Sequence, residues 1–227
     1  LVMSLNDNFS VNRAVRYAAT VLQEGVQPIV ILTKADLCPD VEILKEQIKE
    51  MLPHIEVHAV SALTGDGMDK LQVYLQPGNT IALLGSSGVG KSTLVNALAG
   101  TEIMKTGEIR EKDAKGRHTT TYREMIELPS GVIVIDTPGM REIGLCDVDE
   151  GIDDTFEDIA ELAAQCRFRD CTHTNEPRCA VRQALENGQL SKERFELYRS
   201  LHVESRKSAD MKAIAKARKA LNKTRKR

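Results

Sequence analysis

Tryptophan is absent from this chain of 227 residues, and phenylalanine and tyrosine together number only eight. The core is therefore expected to be aliphatic, drawn from a hydrophobic content of 41% in an ordinary soluble composition with 28% charged residues. No apolar run approaches the ~20 residues of a membrane-crossing helix, so no membrane partner is expected. No signal-peptide pattern opens the chain. There is no initiator methionine either: the chain opens on the strand-like Leu1-Val2-Met3-Ser4-Leu5, and an N-terminal piece is expected to be missing. The five cysteines do not read as a disulfide set. Three cluster with a histidine, which points to a metal in a reducing compartment and hence to the cytoplasm. Net charge is small, −2, but it conceals an asymmetry. From Leu201 to Arg227 ten Lys or Arg stand against only Glu204 and Asp210, a basic end suited to an acidic partner such as nucleic acid.

Up to about residue 150, short apolar runs alternate with helix-period stretches. Strands are expected at Leu1–Leu5, Ile29–Leu32, Val57–Val60, Ile81–Leu84, Glu124–Leu128 and Val132–Ile135. Helices are expected at Val11–Glu24, Val41–Leu52, Met68–Leu75 and Lys91–Ala99, with Gly25 and Gly100 as stops and Asp40 as an N-cap. Pro129-Ser130-Gly131 reads as a hairpin turn. The pattern predicts an α/β domain with a mostly parallel six-stranded sheet and helices on both faces. Beyond Met140 only helical periodicity remains, at Ile152–Gln165, Ala180–Glu186 and Lys192–Glu204, with Asn187-Gly188 as a break and Ser191 as a cap. Two domains follow: 1–150, and a small helical domain at 151–227 that ends in the basic tail.

Between an expected strand and helix, Gly85-Ser86-Ser87-Gly88-Val89-Gly90-Lys91-Ser92 fits the phosphate-loop pattern. Its glycines let backbone N–H groups turn towards phosphate oxygens, and the helix start adds a positive dipole end. Lys91 would reach the β- and γ-phosphates, and Ser92, followed by Thr93, would ligate Mg²⁺. Asp136-Thr137-Pro138-Gly139 ends an apolar strand: Asp136 can hold the Mg²⁺ through a water, and Gly139 can offer its N–H to the γ-phosphate. Alone, that segment is better read as a strand and a Pro-Gly turn; paired with a phosphate loop on the adjacent strand, the functional reading wins.

Met140 stands where many GTPases place a water-orienting glutamine, and it can do no such work. Catalysis then comes from elsewhere or waits for a partner. The nearest candidate is His118 in Gly116-Arg117-His118-Thr119-Thr120-Thr121, although a solvent-exposed loop histidine accounts for it equally. One of the three threonines would complete the Mg²⁺ shell; the sequence does not separate them, and Thr120 stands for the three below.

Thr33-Lys34-Ala35-Asp36 follows another strand. A carboxylate at Asp36 can accept from guanine N1–H and N2–H₂ together and, once buried, rejects adenine. Lys34 would lie along the base, and Ser61-Ala62 would offer N–H groups to its O6. Ordinary GTPases carry the phosphate loop first and the guanine reader last. Here the order is reversed, which predicts a circularly permuted P-loop GTPase domain.

Cys166, Cys171, His173 and Cys179 supply three thiolates and an imidazole within fourteen residues, a closed tetrahedral set for structural Zn²⁺. Cys38 and Cys146 have no comparable partners and read as ordinary small side chains.

Taken together, Thr33–Asp36, Ser61-Ala62, Gly85–Thr93, Gly116–Thr121, Asp136–Gly139 and the four zinc ligands resemble the permuted, small-ribosomal-subunit-dependent GTPases of the RsgA/YjeQ type. Thr33 departs from the family's more usual Asn. The resemblance implies a monomeric, cytoplasmic factor of late 30S assembly that binds GTP and GDP, contacts 16S rRNA and is stimulated by the subunit. It also implies an N-terminal OB-fold that this chain lacks. A GTP-sensing RNA-binding module and a GTPase switch for a protein partner are the competing readings.

Overall fold

The structure is a computed structural model and describes residues 1–6, 9–104, 124–137, 145 and 148–224. It divides into two compact units, Leu1–Ala14 with Pro28–Glu142, and Val15–Gln27 with Ile143–Arg227.

In the first unit, β1 (Val2–Ser4), β2 (Val30–Thr33) and β3 (Val57–Ala59) are parallel in the order β1-β2-β3, with Val2 opposite Ile31 and Val30 opposite Val57. A second set runs β4-β6-β5, from β4 (Thr80–Leu83), β5 (Glu124–Glu127) and β6 (Ile133–Asp136). β4 and β6 are parallel and β5 is antiparallel to β6. The six expected strands therefore form two triplets, and the Val2 N–H joins them by donating to the Leu84 carbonyl at 2.6 Å.

The expected hairpin forms at residues 128–132, closed by Leu128 N–H to Val132 O at 2.8 Å, with Gly131 at φ 79°. The helices here are α2 (Val41–Met51) and α3 (Lys91–Ala99). Met68–Tyr74 is a 3₁₀ helix rather than the expected α-helix, entered through Gly67 at φ 72°. A Cβ at Gly67 would collide with the Ala59 carbonyl, so the chain leaves β3 in a turn that only glycine fits. Asp40 precedes α2 but makes no side-chain cap bond, a second departure from expectation. Val2, Val60, Leu71, Leu83, Val89, Leu94 and Val134 meet in one aliphatic core.

The second unit takes most of α1 (Val11–Gln23), together with α4 (Asp149–Thr155), α5 (Glu157–Ala164), α6 (Ala180–Glu186) and α7 (Lys192–Thr224). The expected helix Ile152–Gln165 is broken at Phe156, whose φ of −120° and ψ of 45° end α4 and start α5. α7 runs far past Glu204, through a stretch rich in Ala, Lys and Arg, all strong helix formers. α1 and α4 pack closely at Gly151: a Cβ there would collide with the Ala19 carbonyl, and the Gly151 N–H donates to Gln23 Oε1 at 2.9 Å. Ser191 caps α7 as expected, accepting from Arg194 N–H at 3.2 Å. Buried Arg194 donates to both Asp158 oxygens, at 3.0 and 2.7 Å, and lies 4.7 Å over the Phe156 ring.

His202 clasps α7 to α4. Its Nδ1 lies 3.0 Å from Asp149 Oδ1 and its Nε2 3.1 Å from Asp153 Oδ1. Both nitrogens face acceptors, an arrangement that only the imidazolium satisfies. Burial works against that charge, but the Asp153 and Asp149 carboxylates outweigh it and raise the histidine's pKa. Tyr198 packs on the ring at 4.5 Å and donates to Asp153, on which Arg206 also acts. A raised folded pKa gives stability that is complete below about pH 6.5 and lost as pH climbs through the folded value. Melting temperature should therefore fall as pH rises above about 6.5, and His202→Gln should remove most of that fall. Identical pH profiles for the two proteins would reject the clasp.

Candidate nucleotide site and metal centre

β2, β3, β4 and β6 each end in a segment singled out by sequence: Thr33–Asp36, Ser61-Ala62, Gly85–Ser92 and Asp136. The parallel pairings bring the ends of β2 and β3 together, and register sets Leu83 opposite Asp136.

The phosphate loop is shaped by its glycines. A Cβ at Gly85 would strike the Val2 carbonyl, and Gly88 and Gly90 hold φ of 79° and 95°. Gly90 starts α3 without a side-chain cap, so no side chain competes for the helix's first N–H groups. Lys91 is buried, and its Nζ donates to Gly85 O at 2.9 Å and Ser86 O at 3.1 Å. Burial lowers its pKa, and the charge of Asp136 pushes the other way. Ser92 is half-buried and Thr93 exposed, one and two residues into α3. Thr137 Oγ1 donates to Leu83 O at 2.6 Å, anchoring the exit from β6 to β4.

The guanine segment is tied directly to this loop. Thr33 Oγ1 donates to Val89 O at 2.5 Å, and Lys34 Nζ to Gly88 O at 3.1 Å. Lys34 holds φ 59°, and the next residue's N–H, on Ala35, donates to Val60 O at 3.2 Å. Asp36 lies in a 3₁₀ turn, Ala35–Leu37, and is exposed rather than buried. Ser61 is fully buried with its N–H already donated to Asp66 O, while its hydroxyl accepts from Leu63 and Thr64 N–H. Ser61 therefore builds the loop, which leaves Ala62 as the candidate of the pair to offer its N–H. Sequence reasoning missed these hydroxyl ties; a threonine at the end of a strand beside a glycine loop was the one available signal. His118, Thr120, Gly139, Met140 and Cys146 lie outside the described residues.

The donor set around Lys91 fits Mg²⁺, whose ligands are hard oxygens: a hydroxyl at Ser92 and a carboxylate at Asp136.

In the second unit, Cys166 Sγ and Cys179 Sγ lie 3.8 Å apart, and His173 Nδ1 lies 3.6 and 3.4 Å from them. With Cys171 Sγ, all four donor atoms fall within 4.8 Å of one another. A tetrahedron with Zn–S bonds of ~2.3 Å sets sulfurs roughly 3.8 Å apart, so these residues fit Zn²⁺. Burial lowers the His173 pKa, favouring the neutral imidazole that a metal requires. Cys179 caps α6 and accepts from Arg182 N–H at 3.4 Å. Glu176, unnoticed in the sequence, gathers the intervening loop: it accepts from Thr172 Oγ1 at 2.6 Å and from the N–H groups of Thr172, Thr174 and Asn175 at 2.8, 2.9 and 3.1 Å. The Thr172 hydroxyl leads these bonds in holding its pKa down at about 2.

A glycine-rich phosphate loop between β4 and α3, with the guanine segment encoded upstream of it, defines a circularly permuted P-loop domain. The RsgA GTPase family description matches residues 1–146, and the chain belongs to that family. It is 50% identical over 201 residues to the small ribosomal subunit biogenesis GTPase RsgA 2 of Vibrio parahaemolyticus, covering 88% of this chain and 56% of that protein. It is 48% identical over 218 residues to RsgA 1 of Listeria monocytogenes, covering 96% and 63%. The chain thus spans less than two thirds of either relative. Among solved structures, YjeQ from Thermotoga maritima superposes with a TM-score of 0.66 at 27% identity, over 89% of this chain and 69% of that one. YloQ, described as a circularly permuted GTPase, gives 0.65 at 29%, over 91% and 67%.

Because the second unit's metal loop has few apolar contacts of its own, Cys179→Ser should abolish stoichiometric zinc in a colorimetric release assay. It should also lower the melting temperature by about 10 °C or more, on the order of 3 kcal/mol. Unchanged melting after zinc loss would show that the metal is not structural.

Proposed function

We propose that this chain is a GTP-hydrolysing factor that acts on the small ribosomal subunit during its late maturation and whose turnover the subunit stimulates. Relatives carrying the name small ribosomal subunit biogenesis GTPase support this reading. One observation carries the nucleotide part: Thr33 and Lys34 bond to the phosphate-loop carbonyls of Val89 and Gly88, so base reader and phosphate cradle form one site.

In that site Asp36 accepts guanine N1–H and N2–H₂, Lys34 lies along the base and Ala62 N–H meets O6. The N–H groups of Gly88–Thr93 hold the phosphates, and Lys91 moves its ammonium from the loop carbonyls to the β- and γ-oxygens. Ser92, Asp136 and Thr120 would hold Mg²⁺, which when bound neutralises charge on the phosphates. Gly139 offers its N–H to the γ-phosphate, and His118 positions the attacking water when the subunit is engaged. The proposed domains are a permuted GTPase domain at 1–150 and a zinc-stapled helical domain at 151–227, which contacts 16S rRNA. The factor is proposed to be monomeric and cytoplasmic.

GTP turnover measured side by side with 30S subunits, with 50S subunits and with neither tests the reading. Acceleration confined to 30S is expected, and equal rates in all three would end it. Asp36→Asn sets an amide donor against guanine N2–H₂ and forfeits a charged hydrogen bond, about 1.5–3 kcal/mol. Affinity for GTP should fall roughly 10- to 150-fold, whereas xanthosine triphosphate, with a carbonyl at C2, should gain relative to it. If competition titration shows no change in base preference, Asp36 is not the base reader.

A further inference from the structure

The metal loop carries a second feature that zinc binding does not explain. Cys166 and Cys171 bracket Arg167-Phe168-Arg169-Asp170, and all four bracketed residues are exposed. Phe168 is the one exposed phenylalanine of the chain's four, at 40%, in a protein where large apolar rings are scarce. The Arg167 guanidinium lies 5.5 Å from its ring centre. Arg178 lies beside the same segment, its carbonyl accepting from the Arg167 N–H at 3.5 Å.

Arg178 holds φ 60°. Glycine enters that region freely, whereas a side chain there costs about 1 kcal/mol or more. Folding does not use the charge: among the described residues Arg167, Arg169 and Arg178 have no carboxylate partner, whereas Arg194 and Arg182 in the same unit pair with Asp158 and Glu186. Nearby Glu176 is turned inward on the loop's own N–H groups.

We propose that this loop binds single-stranded RNA, with Phe168 stacking on an unpaired base and Arg167, Arg169 and Arg178 neutralising the flanking phosphates. Three unpaired guanidiniums give the charge complementarity, and an open ring beside them selects a partner with exposed aromatic faces, which neither duplex nor acidic peptide offers. The inference deepens the ribosomal reading and rests on its RNA partner.

The test uses the full zinc-loaded chain and a fluorescein-labelled single strand of about twelve nucleotides, its duplex, and polyglutamate as competitor, read by anisotropy across a salt series. The single strand should bind more tightly than the duplex. Phe168→Ala should weaken it about five- to hundredfold while Phe168→Tyr keeps it. Arg178→Gly should reduce the salt slope by about one without lowering the melting temperature, because the backbone relaxes. Zinc content and binding of a fluorescent GTP analogue should stay unchanged in all three. Wild-type affinity in both Phe168→Ala and Arg178→Gly, equal binding of strand and duplex, or full displacement by polyglutamate would each overturn the proposal. Loss of RNA binding in Phe168→Ala alongside no 30S stimulation of the wild type would instead keep the loop site and remove the ribosomal reading.

Discussion

The bonds from Thr33 and Lys34 to the carbonyls of Val89 and Gly88 govern the nucleotide site. In a trans peptide the C=O and the following N–H point to opposite sides. Holding the Gly88 and Val89 carbonyls towards the guanine segment therefore turns the N–H groups of Val89 and Gly90 the other way, into the concavity where an anion would lie. The segment proposed to read the base is thus part of what shapes the loop proposed to cradle phosphate. Threonine suits this task because its hydroxyl reaches a carbonyl while its methyl group stays in a buried site, 4% exposed.

Permutation leaves this geometry intact because the site depends on strand neighbours and not on chain order. β1 and β4 meet through Val2 and Leu84, and each triplet runs outward from that seam. A seam of this kind in a mostly parallel sheet is where loops from both halves leave in opposite directions and open a crevice. Gly85 sits at it, too close to the Val2 carbonyl for any Cβ. The glycine that begins the phosphate loop is therefore fixed by sheet packing as much as by phosphate chemistry.

Sequence pattern located α3 and α6 to the residue, and the six strands within a residue or two, because each is a short apolar run bounded by a turn. The cluster of Cys166, Cys171, His173 and Cys179 was equally readable, since its spacing is local. What escaped notice depended on tertiary contact. Phe156 breaks one expected helix into α4 and α5, although Thr155-Phe156-Glu157 carries no helix-breaking residue. Asp40 had the right type and place to cap α2 and makes no such bond, since the cap also needs a backbone conformation that its neighbours decide. Ser61 was chosen for its N–H, which the loop itself commits to the Asp66 carbonyl five residues on.

The arginines of the second unit separate by what holds their surroundings in place. Arg194 lies between α5 and α7, which no metal holds together among the described residues, and it is consumed there by Asp158 and the Phe156 ring. Arg167, Arg169 and Arg178 lie on a loop whose four donor atoms converge within 4.8 Å. Coordination of that kind supplies folding free energy without asking the intervening side chains to bury surface. A metal-held loop can therefore leave a phenylalanine and three guanidiniums exposed, and can carry the strain at residue 178, where an apolar core of this size would have to enclose or pair them.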